Sequence, residues 1–435
     1  MTTVKQARGP QPDQRRLSLA EVIQTVTDGP LPVRFTAYDG SAAGPPDAEL
    51  GLHLLAPRGA SYLVTAPGDL GLARAYVSGD LDIAGAHPGD PYPLLRALED
   101  LRFQMPPPRM LPVIARSLGT ELLRPPPPPP QEALPRWRRV AEGLRHSRTR
   151  DAGAIRHHYD VSNAFYERVL GPSMTYTCAC YPEETGTLEE AQENKYRLIF
   201  DKLRLQEGDR LLDIGCGWGG MVRYAARRGV RAIGATLSRE QAVWAQRAID
   251  EEGLGGLAEV RFSDYRDIRE TGFDAVSSIG LTEHIGVRNY PTYFRGIRDR
   301  LRVGGLLLNH CITRPDNRLR PTGAFIDRYV FPDGELIGSG SIIAAAQNAG
   351  LEVRHEENLR EHYALTLAQW CRNLEEHWDA CVEEVGQATA RVWGMYMAGS
   401  RLGFERGGVE LHQVLAVRTD GRGASGLPLR PWWDG

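Results

Sequence analysis

Several features that would each point to a function are missing from this sequence. It contains no apolar run near the roughly 20 residues that a membrane-spanning helix needs. Its first residues, Met1-Thr-Thr-Val-Lys-Gln, lack the apolar centre of a secretory signal. Both absences lead to the expectation of a cytoplasmic protein. The six cysteines, Cys178, Cys180, Cys216, Cys311, Cys371 and Cys381, include no Cys-x-x-Cys pair, which argues against a disulfide framework and against a cysteine zinc site. A formal net charge of only -3 removes any global electrostatic case for nucleic acid or for an anionic surface. With 42% apolar and 25% charged residues, neither disorder nor a membrane-embedded chain is indicated.

What is present is organised in blocks. At 435 residues the chain exceeds one ordinary domain, so two are expected. The clearest boundary is Pro125 to Pro130, six prolines that cannot join a helix or a central strand and favour an extended spacer. The predicted layout is a flexible segment over 1–16, a small α+β domain over 17–124, a proline-rich and basic linker over 125–150, an α/β domain over 151–422 and a tail over 423–435. Leu31 to Tyr38 and Ser61 to Thr65 read as short strands of the first domain, punctuated by Asp39-Gly40, Pro45-Pro46 and Pro67-Gly68. The linker holds the most basic stretch, Arg136-Trp-Arg-Arg139 followed by Arg145, His146, Arg148, Arg150, Arg156, His157 and His158. Two readings of it stay open: a solvated helix with partners such as Glu142, or a contact with lipid phosphate at a membrane surface.

From about residue 196 strands and helices alternate. Arg210 to Gly215, Val230 to Thr236, Ala258 to Phe262, Asp274 to Ile279 and Leu306 to His310 are strand candidates, separated by helical segments such as Glu240 to Glu252 and Tyr290 to Leu301. Leu351 to Arg354 and Val409 to Val417 would complete a largely parallel, doubly wound sheet. Residues 364–402 read as helical, with Trp370, Trp378, Trp393 and Tyr396 as a core-facing stripe. The first strand runs into Asp213-x-Gly215-x-Gly217-x-Gly219, where glycines allow a tight turn and close approach of a ligand. A dinucleotide site would place an acid about 20 residues further on, at the tip of the second strand. That tip reads Gly234-Ala-Thr-Leu-Ser-Arg-Glu-Gln241, with no acid on it, which counts against NAD and leaves Thr236 and Gln241 as polar candidates. Glu283-His284 resembles a metal-binding fragment, but no HExxH and no third ligand stand at the needed spacing, so no metal is expected.

Seven segments in order carry a family resemblance: Met174-Thr-Tyr-Thr-Cys-Ala179, Leu212-Asp-Ile-Gly-Cys-Gly-Trp-Gly219, Thr236-Leu-Ser-x-x-Gln241, Asp264-Tyr-Arg-Asp267, Ser278-Ile-Gly-Leu-Thr-Glu-His-Ile-Gly286, Tyr329-Val-Phe-Pro-Asp-Gly334 and His362-Tyr-Ala-x-Thr-Leu367. Over about residues 150 to 420 the chain resembles the cyclopropane-fatty-acyl-phospholipid synthases, a family that includes the mycolic acid cyclopropane synthases. It looks most like the actinobacterial subgroup making 10-methylene stearoyl lipids, precursors of tuberculostearic acid. The resemblance implies a class I, Rossmann-like, S-adenosylmethionine-dependent methyltransferase of α/β class. Its seven-stranded, mostly parallel sheet would carry helical insertions that cover lipid, beside a smaller amino-terminal α+β domain that engages lipid. Carried over residue by residue, the cofactor would be held by Tyr159, Tyr176, Thr177, Asp213, Gly215, Gly217, Thr236, Gln241, Asp264 and Tyr265. A bicarbonate ion would be held by Cys178, Glu283, His310, the backbone of Ile312, and Tyr363.

The implied chemistry accounts for these residue types. An alkene that takes a methyl group becomes a carbocation, which must be kept from water and faced by electron-rich groups. Tyr159, Tyr176, Phe325, Tyr329 and Tyr363 are aromatic candidates. The cation then loses a proton, and a small basic oxyanion fixed by His, Tyr and backbone donors can accept it. Thr282 stands where many relatives have Phe, and His310-Cys-Ile-Thr313 where they have His-Thr-Ile-Gly, which puts the product rather than the methyl transfer in question. The expected substrate is an oleoyl phospholipid at the inner face of the membrane, with the enzyme bound peripherally. Nucleic acid is not an expected partner, and a homo-oligomer is left open. A 10-methylene product calls for a separate flavin- or NADPH-dependent reductase, whereas a cyclopropane product is the alternative. Methylation of a small molecule or RNA, and a lipid-binding protein without activity, are the competing readings.

Overall fold

The computed structural model describes residues 16–133 and 162–433, so the amino-terminal segment, the basic run Arg136 to His158 and Tyr159 lie outside the described residues. Two compact units partition the chain, one formed by residues 1–87 and 93–129 and the other by residues 88–92 and 130–435.

In the first unit, helix Leu19–Val26 starts at a reciprocal cap: Ser18 Oγ accepts from the Glu21 N–H, and the Glu21 carboxylate accepts from the Ser18 N–H at 2.8 Å. Strands β1 (Thr27–Asp28) and β6 (Arg102–Phe103) form a small antiparallel pair. A four-stranded sheet runs in the order β3 (Ala42–Ala43), β2 (Arg34–Ala37), β4 (Gly51–Leu54), β5 (Leu81–Ala84). The strand expected at Ser61 to Thr65 is instead the end of helix Pro57–Thr65. A five-residue apolar run does not by its periodicity separate a strand from one buried helix turn. Pro57 sits in the first turn, where the helix needs no N–H, and this initiates the helix. The prolines from 125 to 129 join no helix or strand, and Tyr62 Oη donates to the Pro127 carbonyl at 2.5 Å.

The second unit is built on seven strands: β7 (Arg210–Ile214), β8 (Arg231–Thr236), β9 (Ala258–Phe262), β10 (Phe273–Ile279), β11 (Leu301–Thr313), β12 (Glu352–Asn358) and β13 (Glu410–Val417). Their order is β12-β13-β11-β10-β7-β8-β9, parallel throughout except for β13, which runs antiparallel to both neighbours. This is the Rossmann-like α/β arrangement of the class I methyltransferases. Consecutive apolar residues in the central strands face opposite layers. Leu211, Ala275 and Leu308 pack with Ile199, Met221 and Ile249, whereas Leu212, Val276 and Leu307 pack with Phe273, Tyr293 and Ile297. Such two-sided burial explains why the strands read as continuous apolar runs.

Two expected boundaries move. β11 extends well beyond Leu306 to His310, since it pairs with β10 on one side and β13 on the other. The helical stretch after β12 is three helices, Arg360–Glu376, Trp378–Val385 and Gln387–Glu405, inserted before β13. The sheet order reverses between β7 and β10, which opens a crevice beyond the carboxyl ends of those strands. Leu308 is fully buried at the centre of β11. Leu308→Ala is expected to destabilise this unit by about 2–5 kcal/mol, measured as a lower denaturation midpoint with an unchanged slope.

Candidate functional site

The crevice forms where three strands end. Gly215 and Gly217 follow β7, Thr236 closes β8, and Gly280 follows β10; all four line a cleft that continues on both sides of the glycine loop. One side is lined by Thr236, Leu237, Ser263, Tyr265, Leu281 and His284, and the other by Thr175, Tyr176, Thr177, Asp213 and Trp218, with Gln241 common to both. Gly217 has φ +54 and nothing within 4 Å of where a Cβ would stand, so its backbone is open to the cleft. Thr236 Oγ1 donates to Gln241 Oε1 at 2.8 Å, which joins the ends of β8 and the following helix. Of the predicted pair Asp264-Tyr265, Tyr265 lines the cleft, while the Asp264 carboxylate accepts from the Arg266 guanidinium at 2.6 and 2.8 Å.

Asp213 is buried, accepts from Ser277 Oγ at 2.6 Å, and is pushed up to about 6 by burial, with the Lys195 ammonium opposing the shift. Lys195 itself escapes sequence reasoning, because a lysine on a helix normally reads as solvated surface. Here it is fully buried, its Nζ donating to Thr177 Oγ1 at 2.7 Å and to Gln192 Oε1 at 2.8 Å. Gln192 in turn donates to the Thr177 carbonyl at 3.0 Å, so helix Leu188–Lys202 holds the Tyr176-Thr177 wall of the cleft. Burial lowers the Lys195 ammonium to about 7.

The residues read as an anion site come from four elements. Cys178 lies on the loop before helix Leu188–Lys202, and Glu283 is in the single turn Thr282–Ile285 after β10. His310 and Ile312 are on β11, and Tyr363 is in helix Arg360–Glu376. Glu283 and Ile312 are joined directly: the Ile312 N–H donates to Glu283 Oε1 at 2.7 Å. Glu283 Oε2 has no partner among the described residues, and burial pushes the carboxyl up to about 7 against the lowering effect of the Ile312 N–H. His310 is fully buried, with no partner for Nε2 among the described residues. Burial, and then the Lys195 and Lys202 charges, hold its pKa well below the ordinary histidine value, so the ring is neutral. Burial likewise keeps the Cys178 thiol protonated; its Sγ lies 3.8 Å from the Leu359 carbonyl. The His284 ring packs on Phe331, ring centroids 5.4 Å apart, and the residue lines the cleft.

Tyr176, which lines the cleft, is backed by aromatic rings from the helices after β12. Tyr176 lies 5.3 Å from Trp370 and 5.7 Å from Trp393 between ring centroids, and its hydroxyl donates to Tyr396 Oη at 3.0 Å. Tyr363 packs on Trp370 at 6.1 Å and on Phe404 at 4.5 Å, while Tyr166 packs on Trp218 at 4.9 Å. Trp370, Trp393 and Tyr396 are buried, as expected of a core-facing stripe, and they pack around Tyr176, which itself lines the cleft. Phe325 and Tyr329 pair with one another at 5.6 Å, and Tyr329 Oη donates to Glu132 at 3.2 Å. The two departures noted in the sequence are connected. Asn309 Nδ2 donates to Thr282 Oγ1 at 2.5 Å, and the Cys311 thiol donates to Asn309 Oδ1 at 3.2 Å.

Residues 146–414 match the mycolic acid cyclopropane synthetase family. The chain is 67% identical over 421 residues to Rv3720 of Mycobacterium tuberculosis, described as a probable fatty acid methyltransferase, covering 96% of this chain and 99% of that one. It is 30% identical over 401 residues to the tuberculostearic acid methyltransferase UfaA1 of the same organism, covering 89% of this chain and 88% of the relative. Among solved structures it is similar to the cyclopropane synthase MmaA2 of Mycobacterium tuberculosis, with a TM-score of 0.58 and 31% identity over 62% of this chain and 98% of that one.

Because the Lys195 charge opposes the effect of burial on Asp213, Lys195→Met is expected to raise the Asp213 pKa further above about 6. A pH titration of the Asp213 carboxyl carbon shift checks this, and an unchanged or lowered midpoint would contradict it.

Proposed function

The chain belongs to the mycolic acid cyclopropane synthetase family and is an S-adenosylmethionine-dependent methyltransferase; from that premise we propose that it methylates the double bond of an oleoyl chain in a membrane phospholipid. The product we assign is a 10-methylene stearoyl chain, the precursor of a 10-methyl branch. The observation that carries the reading is two buried polar atoms with no partner among the described residues, Glu283 Oε2 in the turn after β10 and His310 Nε2 on β11. Support for the product comes from the likeness to a tuberculostearic acid methyltransferase over 89% of the chain. The likeness to a cyclopropane synthase favours the alternative, ring closure to a cyclopropane.

S-adenosylmethionine supplies an electrophilic methyl group. Gly215, Gly217, Thr236, Gln241 and Tyr265 hold it on one side of the loop, and Asp213, Tyr176 and Thr177 on the other. Attack by the alkene on that methyl group would break its bond to sulfur, release S-adenosylhomocysteine and leave a carbocation on the acyl chain. The faces of Tyr176, Tyr363 and Trp370 stabilise it and exclude water that would quench it. Burial keeps the Tyr176 hydroxyl neutral, so this wall presents π faces and no phenolate.

Proton loss needs a base that none of these neutral groups supplies. His310 Nε2–H and the protonated Glu283 Oε2 fit a bicarbonate ion, which would provide that base, with Tyr363 and the neutral Cys178 thiol as further donors. In this assignment the Ile312 N–H acts through Glu283, since it is already donated to that carboxylate. A hydride shift before proton loss gives the methylene, and direct loss from the transferred methyl gives the ring; both outcomes use the same residues. Completion of the methyl branch belongs to a separate flavin- or NADPH-dependent reductase. No helix among the described residues is long and apolar enough to cross a membrane, and we assign a peripheral position at the inner face, with the amino-terminal domain engaging lipid.

Incubation with labelled S-adenosylmethionine and oleoyl phospholipid vesicles, followed by analysis of released fatty esters, should show a gain of one carbon with vinylidene protons in the NMR spectrum. No gain would overturn the substrate assignment, and cyclopropane ring protons would overturn the product. The Glu283 carboxyl is neutral below about 7 and ionised above it. At fixed bicarbonate, turnover should therefore fall as pH rises through about 7. Glu283→Gln, neutral at every pH, should lose this limb along with about 10²-fold in rate.

A further inference from the structure

His310 is an end point of a polar row that crosses three strands. In the sheet register Glu357 of β12 pairs with Gln413 of β13, and Gln413 pairs with His310 of β11. Residues directly opposite one another across a sheet share a face, so the three side chains form one rung. Lys202, the last residue of helix Leu188–Lys202, reaches this rung with a side chain that is fully buried. Its Nζ donates to Gln413 Oε1 at 2.8 Å and pairs with the Glu357 carboxylate. On its other side Gln413 places Nε2 at 3.2 Å from His310 Nδ1.

We infer that Lys202 and Gln413 are positioning residues that fix the tautomer of His310, holding its ring proton on Nε2. The reasoning is a matter of donor and acceptor count. An ammonium has three donors and no acceptor, so the Gln413 atom facing Lys202 must be the amide oxygen. The opposite amide orientation would set NH2 against NH3+ in a buried site. With the oxygen committed, the NH2 faces His310, and Nδ1 must be the unprotonated acceptor. A neutral imidazole carries one proton, which therefore sits on Nε2. That nitrogen is buried and has no partner among the described residues, which makes it a pre-aimed donor.

Lys202 is covered by residues near the end of the described chain. The Trp433 ring lies 5.5 Å from Lys202 Nζ and 4.9 Å from the His355 ring, and Trp432 Nε1 donates to the Asp201 carbonyl at 2.8 Å. A wet Lys202 would be free to release Gln413, and the amide could then turn. Through this chain the identity of a side chain on β12 bears on the protonation site of a ring three strands' width away.

The inference rests on the reading of His310 as a donor toward an anion, and the test separates the two. The full chain labelled with nitrogen-15 histidine, observed by long-range proton–nitrogen correlation without substrate, should show His310 as the neutral Nε2–H form. Finding Nδ1–H in the unsubstituted protein would overturn the relay, whatever the variants do. In Gln413→Glu a carboxylate facing Nδ1 should draw the proton there or make the ring an imidazolium. In Lys202→Met the freed amide should give a mixture of tautomers. Both variants should lose about 10²-fold or more in kcat, with KM for S-adenosylmethionine changed less than about threefold. An unchanged tautomer and kcat in Gln413→Glu would overturn the proposal, and a folding failure of either variant leaves the unsubstituted spectrum to decide. If the Nε2–H form is found but oleoyl vesicles gain no carbon, the reaction assignment fails and the tautomer assignment stands.

Discussion

The register of β11 is the constraint on which the site depends. This strand pairs with β10 from Phe273/Leu301 to Ile279/His310 and with β13 from Leu306/Val417 to Thr313/Glu410. Side chains alternate along a strand, so a slip of one residue would move His310 to the opposite layer and put Asn309 or Cys311 in its place. The apolar neighbours forbid the slip: Leu306 and Leu308 belong to one core layer and Leu307 to the other. Packing that contains no reactive group thus decides where the reactive groups stand. The same register brings Gln413 beside His310 and the Ile312 N–H beneath Glu283.

Burial is the common cause of the site's electrostatics. Glu283 and Lys195 are both brought to about 7 and Asp213 to about 6, while His310 is kept neutral and the Cys178 thiol protonated. Each shift favours the uncharged form, as expected where water is excluded. For a reaction that generates a cation from an alkene the consequence is coherent. The wall is built of aromatic faces and of groups that burial holds toward their uncharged forms. The aromatic enclosure and the shifted ionisations are therefore two results of the same dry volume. Helices Arg360–Glu376 and Gln387–Glu405 create it by carrying Tyr363, Trp370, Trp393 and Tyr396 into the space beyond the sheet.

Local signals made the frame legible. The glycine loop, the alternation of strands and helices and the bare tip of β8 each follow from rules that act within a few residues, and the cleft lies where they point. What stayed hidden depends on partners distant in sequence. Lys195 and Lys202 look like solvated helix lysines until Thr177 in one case, and Gln413 with Glu357 in the other, are found against them. Gln413 lies within an apolar strand and only the β11–β13 pairing gives it a role. Trp393 and Tyr396 have helical spacing, which core and pocket linings share. Ser61 to Thr65 was misread for a different reason, because apolar β-formers over five residues carry no length information, and Pro57 ahead of them was the better guide.

Thr282 and Cys311 share one partner, Asn309. Asn309 is fully buried between them, giving its NH2 to Thr282 Oγ1 and receiving the Cys311 thiol on its carbonyl oxygen. A phenylalanine at 282 would remove an acceptor from a buried amide and add volume beside Glu283, leaving a polar group unsatisfied at a cost of about 1–3 kcal/mol. A compatible change at Asn309 would have to accompany it. Positions linked in this way couple energetically, so substitutions at Thr282, Asn309 and Cys311 are expected to be non-additive. Thr282 immediately precedes Glu283 in the turn after β10, so any change of volume at 282 falls beside the carboxyl proposed to orient the base.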